Sequence, residues 1–354
     1  MPDFVWVHIP EQDGLLQVLI QPPFPQLSVD LVDNMPLNGT LIELLTAVNP
    51  VLDLRRQPGA VRQVPSYEPL DEDDVLDWPD LSFENLKAAY GHLFDIGPLA
   101  LDAVQDMRGT SFDNVVKIWN YRTCSQPIKR ATEKVQVDLG AERCGIDMEY
   151  LSQNNCPRAA AKSNAPDWCI SLRELQDSED DENRIIAVCG DTKCSSWCSS
   201  NRMTTRSRAD WIFPLRRVLT CCVNNKTRYG YILTSEEVVV FRVYEDRSTP
   251  PSPWRIQHAA IPWENAGEST LTVNLAIWAL AMMSLNEGHR PIRSLDQTLP
   301  LNVWWEHDGA SPAYEHHLSG RKVSETLERA DVRARPVSTY EDDTRRRRSR
   351  RLQK

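Results

Sequence analysis

The chain has 354 residues, 41% hydrophobic and 25% charged, with a formal net charge of −10; this suits a soluble globular protein with a full core and excludes a broadly basic, nucleic-acid-coating surface. Nine cysteines, an odd number and all between Cys124 and Cys222, make a poor disulfide framework and point to reduced thiols in a cytosolic or nuclear protein. The opening residues, from Met1 to Phe4, lack a basic region followed by an apolar stretch, so no signal peptide is expected, and the strongest apolar run (271–285) is too short to span a bilayer comfortably.

In chain order, residues 15–20 predict a strand and 41–48 a short helix. Residues 57–80, rich in proline and carrying the run Asp71-Glu72-Asp73-Asp74, read as an acidic linker. Ser82 is placed to cap a helix, with Glu84 at the positive end of its dipole and Leu86, Ala89, Tyr90 and Leu93 at helical spacing. A second helical region is expected within residues 111–137. Trp168, Ile170 and Leu172 alternate with Asp167, Cys169 and Ser171, the signature of a strand with one apolar face. After an acidic loop, residues 184–190 predict a strand buried on both faces. A helix over 210–223, a hairpin from 229–234 and 238–244, a strand over 255–263 and a buried apolar helix over 272–285 follow. Beyond about residue 307 the chain turns polar and loses periodicity, which predicts a disordered tail ending in the basic cluster from Arg345 to Arg351.

The chemistry concentrates near residue 191. Successive strand side chains alternate faces, so Asp191 and Lys193 point the same way with Thr192 opposite. Alone, an Asp-x-Lys at a strand end reads as a structural ion pair. Here Pro166-Asp167 opens the preceding strand, and if the two strands are neighbours the carboxylates converge. Two carboxylates and a backbone carbonyl suffice for Mg²⁺, which keeps several waters. Lys193 would then orient a water or stabilise charge at a phosphate.

These residues resemble the motif of the PD-(D/E)XK nuclease superfamily: Pro166-Asp167 matches its first element and Asp191-Thr192-Lys193 its second. The wider context is similar to a fungal group of PD-(D/E)XK nuclease-like proteins, through Gly190-Asp191-Thr192-Lys193, the helix from Trp211 to Leu219, Thr227-Arg228-Tyr229-Gly230-Tyr231-Ile232-Leu233-Thr234, Ile261-Pro262-Trp263 and Leu271-Thr272-Val273-Asn274-Leu275-Ala276. The resemblance implies an α/β (α+β mixed) restriction-endonuclease-like core, a central mixed sheet flanked by helices, over residues 81–306. Residues 1–80 form an irregular N-terminal region and 307–354 the tail. It further implies a metal-dependent nuclease, endo- or exo-, acting on DNA with Mg²⁺ or Mn²⁺. Asp167, Asp191 and Thr192 would be metal ligands, and Asp167, Asp191, Lys193 and Arg217 the catalytic set.

The sequence departs from the superfamily in two places. The helix after the lysine often offers a Gln and, four positions on, a Tyr; here Arg217 and Cys221 stand there. No upstream acid is evident beyond Glu133 and Glu142. These departures motivate an alternative, a non-catalytic module of the same fold for nucleic-acid binding or protein interaction. Arg202, Arg206 and Arg208 are either a solvated loop or a phosphate-contact surface. Cys194 and Cys198 with Cys221-Cys222 lack the paired spacing of a zinc knuckle and read as core or incidental thiols. No histidine, including His316-His317, is assigned to the site, and Trp211, Trp263 and Trp278 read as core. The terminal arginines suggest nuclear import, with the cytoplasm as the other location.

Overall fold

The computed structural model describes residues 5–11, 14–20, 39–49, 66–97, 128, 131, 146–152, 166–174, 185–193, 200, 212–234, 236–248, 252–307, 313–325 and 330–334. Val5–Glu11 (β1) and Gly14–Ile20 (β2) pair antiparallel as a two-stranded sheet of their own. Thr40 starts helix α1 (Leu41–Leu45) through a reciprocal capping box: its hydroxyl accepts the Glu43 amide, and its own amide donates to the Glu43 carboxylate at 2.6 Å. A short strand, β3 (Val75–Asp77), precedes α2 (Phe83–Tyr90), whose first turn is capped by Ser82 accepting from the Asn85 amide at 3.3 Å. Then come β4 (Ile146–Ser152), β5 (Trp168–Glu174), β6 (Ile185–Thr192), α3 (Ile212–Asn224), β7 (Tyr229–Leu233), β8 (Glu237–Glu245), β9 (Trp254–Pro262) and α4 (Val273–Leu285). β10 (Arg293–Ser294), β11 (Val303–His307), β12 (Ala313–His316), β13 (Lys322–Val323) and β14 (Asp331–Ala334) complete the described elements. Of the helical region expected within 111–137, only Ile128 and Ala131 are described, and both are helical and buried.

The main sheet runs β3-β9-β8-β7-β6-β5-β4, with β10 added against β8. It is mixed: β6–β7, β3–β9 and β10–β8 are parallel, the remaining pairs antiparallel. Helices cover both faces, because alternate residues of its strands are apolar in both directions. Tyr229, Tyr231, Leu233, Val238 and Val240 join α1, α2 and α4 in one core, whereas Ile232, Val239, Phe241 and Val243 join α3 in the other. α4 is apolar all round, and every residue from Val273 to Ser284 is buried, as a helix without a polar face requires. Thr272 caps it, and Trp278 lies edge-on to Tyr90 at 5.7 Å. No helix among the described residues is long and apolar enough to cross a membrane.

β6 carries a bulge. Ile170 pairs with Val188 but Ser171 pairs with Ile186, so Ala187 is the extra residue. Ala187 and Val188 consequently share the α4 core while Ile186 and Cys189 face α3. The Thr227 hydroxyl donates to the Ala187 carbonyl and ties the bulge to the start of β7.

Two stretches differ from the sequence expectation. The described part of the acidic linker, residues 66–80, is integral to the fold: β3 pairs with β9, and Leu70, Asp74 and Trp78 are buried. Two of its acids face arginines, Asp71 at 3.7 Å from Arg216 and the buried Asp74 at 3.9 Å from Arg255, while the Arg242 guanidinium stacks over Trp78 at 4.7 Å. The expected tail also begins too early. β12, β13 and β14 form a four-stranded sheet with β11, in the order β13-β12-β11-β14. No apolar periodicity announces it, because much of what it buries is imidazole: Trp304 lies edge-on to His316 at 4.8 Å, and His317 Nδ1 is 3.3 Å from His289 Nε2. Asn286, at the C-cap of α4, donates to the carbonyls of His317 and Leu318 at 2.9 and 3.0 Å. The basic cluster from Arg345 to Arg351 lies outside the described residues.

Candidate functional site

Strand parity assembles the site. β5 and β6 are antiparallel neighbours with Trp168 opposite Gly190, so Asp167 and Asp191 are across from each other one step further on. Cys169 and Cys189 face α3, and residues two apart return to the same face, so Asp167, Asp191 and Lys193 face α3 as well. The Lys193 amide donates to the Leu233 carbonyl at 2.9 Å, extending the β6–β7 ladder past the strand end and fixing the lysine backbone. Gly190 points the other way. A Cβ there would lie 2.2–2.6 Å from the Tyr231 ring, so glycine alone lets that buried ring close on the strand next to Asp191.

The carboxylates share a double set of cations. Lys193 Nζ is 2.6 Å from Asp191 Oδ2 and 3.9 Å from Asp167 Oδ2. Arg217, from α3, forks between them: Nη1 donates to Asp191 Oδ1 at 2.5 Å, and Nη2 to Asp167 Oδ1 at 2.6 Å. The Thr192 amide donates to Asp167 Oδ2 at 3.4 Å. Asp191 is 1% exposed, against 19% for Asp167 and Lys193 and 21% for Arg217, so the site has a closed floor and an open rim. Two ionised carboxylates and two cations sum to zero, which is how a buried aspartate pair is tolerated at all.

Protonation follows from this placement. Burial pushes the Asp191 carboxyl up, and the neighbouring Asp167 adds to the rise against Lys193 and Arg217. Asp167 is driven up by its own burial, but its bond to Asp191 and the charges of Arg217 and Lys193 outweigh that and hold it well below the usual carboxylate range. Arg217 loses stability as a cation by burial and regains more from the two aspartates, so it stays charged. Cys221, at the helix position where the resemblance implies a tyrosine, is buried, and burial pushes its thiol far up, so it is a thiol and not a nucleophile.

One residue escaped the sequence reading. Tyr67, from the supposed linker, lies near the same charges: burial pushes its phenol up, Arg217 works against that rise, and Asp191, Cys221 and Asp167 add to it. Its neighbours pin it along α3. The Glu68 amide donates to Thr220 Oγ1 at 2.8 Å, and Arg216 donates to the Leu70 carbonyl through Nε and Nη2 at 2.9 and 2.6 Å. The signal that would have found this segment is its apolar content, Tyr67, Leu70 and Trp78 within an acidic run.

Asp167, Asp191, Thr192, Lys193 and Arg217 are thus brought together. Arg202, Arg206 and Arg208 lie outside the described residues, as do Cys194, Cys198, Trp211, Glu133 and Glu142. Cys169, Cys189, Cys221 and Cys222 are buried thiols outside any disulfide. Trp263 and Trp278 are core residues, as expected. Among the described residues no three His, Cys, Asp or Glu side chains converge for a metal. A cation held here would have two carboxylates and the Thr192 carbonyl, with water for the rest, a hard-oxygen set that fits Mg²⁺ or Mn²⁺ and not zinc. Comparison of the chain with family models, with curated proteins and with solved structures found no match in any of the three.

Proposed function

We propose that the chain is a metal-dependent phosphodiesterase of the PD-(D/E)XK nuclease type, acting on DNA. The observation that carries this reading is the meeting of Asp167, Asp191 and Lys193 at the ends of two adjacent strands, on one face of the sheet. Asp167, Asp191 and the Thr192 carbonyl would hold Mg²⁺ or Mn²⁺. A cation bound there polarises the scissile phosphate and acidifies a water. Lys193, its backbone fixed by Leu233 and its ammonium beside Asp191, is positioned to hold that water or to neutralise charge developing on the phosphate. Arg202, Arg206 and Arg208 would contact backbone phosphates, and the terminal arginines would serve nuclear import.

The test is cleavage of linear and supercoiled DNA with Mg²⁺ or Mn²⁺. Lys193→Ala is expected to lower the rate on the order of a hundredfold or more while the fold persists. Equal rates in the wild type and Lys193→Ala would sink the reading. A second reading, a non-catalytic nucleic-acid-binding or protein-interaction module, is favoured by one observation: Arg217 already neutralises both carboxylates. It predicts DNA retardation in a gel that weakens with salt, without turnover.

A further inference from the structure

The Arg217 fork stands where a divalent cation would bind, because it uses Asp167 Oδ1 and Asp191 Oδ1, one oxygen of each prospective ligand. Its head is charged, its stem is long and flexible, and it is 21% exposed at the open rim. By contrast Asp191 is sealed beneath it. Charge arithmetic makes the two occupants exclusive. With both Lys193 and Arg217 in place the site is neutral, and a divalent ion added to that set would leave two uncompensated positive charges in a mostly buried pocket. If Arg217 leaves the carboxylates, the loaded site carries one excess positive charge, and a phosphodiester that binds with the guanidinium on it cancels that guanidinium's charge, so the full set carries one positive charge rather than two.

We propose that Arg217 is a resident counter-ion that a divalent cation displaces, and that the freed guanidinium then holds the anionic phosphate of the substrate. This rests on the metal-site reading above and adds a regulation to it: cation and phosphate load together, each favouring the other, as reciprocal coupling requires. Planar two-point donation suits Arg217 to both states, since a phosphate offers the same paired oxygens as the two aspartates. The closed state also keeps the carboxylates from drawing in stray cations when no phosphate is near.

The experiment is Mn²⁺ binding by calorimetry on the full chain, in the wild type, Arg217→Gln and Arg217→Lys, with and without thymidine 5′-monophosphate. Removing a charged pair of hydrogen bonds predicts Mn²⁺ binding about tenfold to a hundredfold tighter in Arg217→Gln. Arg217→Lys keeps the charge but cannot bridge both carboxylates, and a smaller gain in the same direction is expected. That variant decides the matter should the glutamine form fail to fold. The nucleotide is expected to tighten Mn²⁺ binding in the wild type, and by clearly less in Arg217→Gln, where the excess charge of the loaded site remains but the guanidinium that holds the phosphate does not. Mn²⁺ affinity unchanged or weakened in both variants, with a wild type that binds, overturns the displacement and leaves the metal site standing. An equal nucleotide effect in the wild type and Arg217→Gln overturns the phosphate half. No Mn²⁺ binding in any form overturns the metal site and the proposal together.

Discussion

Lowering the pH from 7 to 5 is expected to destabilise the fold through the histidine cluster that joins the C-terminal sheet to α4. Burial holds His289 and His316 down to about 3, and His317 well below its ordinary value. The surrounding charges push the same way: Arg228, Arg242 and Arg293 face His289, Arg242 also faces His317, and Arg321 and His92 face His316. Above pH 6.5 these imidazoles are neutral whether the chain is folded or not, and stability is unaffected. Below it the unfolded chain takes up protons that the folded one refuses, so stability falls with pH down to the folded values. Asp191 opposes this by one proton, because its raised carboxyl takes up a proton in the folded state over the same window. Three protons against one leave a loss of about 3–4 kcal/mol at pH 5, roughly 2 kcal/mol for each histidine. That is a large share of the stability of an ordinary domain. The assay is urea unfolding followed by tryptophan fluorescence, since Trp304 and Trp305 lie against the cluster. His289→Gln is expected to remove one histidine's part of the pH dependence. Identical urea midpoints at pH 7 and pH 5 in the wild type would refute the neutral, buried assignment.

Gly190→Ala places a methyl group inside van der Waals contact of the Tyr231 ring and is expected to cost about 1–3 kcal/mol in thermal unfolding; an unchanged midpoint would contradict the close approach. Trp78→Ala, if residues 66–80 are integral to the fold, is expected to destabilise by about 3–5 kcal/mol. A loss below about 0.5 kcal/mol, typical of surface changes, would restore the linker reading. Tyr67→Phe keeps the packing along α3 but removes the hydroxyl. It is expected to slow DNA cleavage about tenfold, the worth of one hydrogen bond from the hydroxyl to the bound substrate, at constant melting temperature, and full activity would remove Tyr67 from the site.

The central elements were legible because their burial is two-sided. The stretch around Ile186 to Gly190 and the pair β7 and β8 read as strands, and the run from Val273 reads as a core helix, because apolar residues fill most of the positions that face a core. The pairing of Asp167 with Asp191 was also legible, since it needs only parity and adjacent strands. What stayed hidden depended on distance rather than pattern. Helix position brings Arg217 to the site, but its fork onto both aspartates leaves no mark in spacing, nor does the extra residue at Ala187. The charges around β3 mask it, and the C-terminal sheet is masked because it buries histidine where most sheets bury aliphatic residues. In each case the local composition was polar, and the partner that neutralised or buried it lay far along the chain.

The acidic stretch acquires a different meaning once it is a strand. β3 lies at the end of the described main sheet, three residues long, with Asp71, Asp73 and Asp77 exposed around it and Leu76 partly bare. A sheet edge invites a strand from another copy, and short length with like charge repels one. The same carboxylates that made the segment look unstructured therefore bear on solubility. Neutralising Asp73 and Asp77 would leave the fold in place and make the protein prone to edge-to-edge aggregation at low salt.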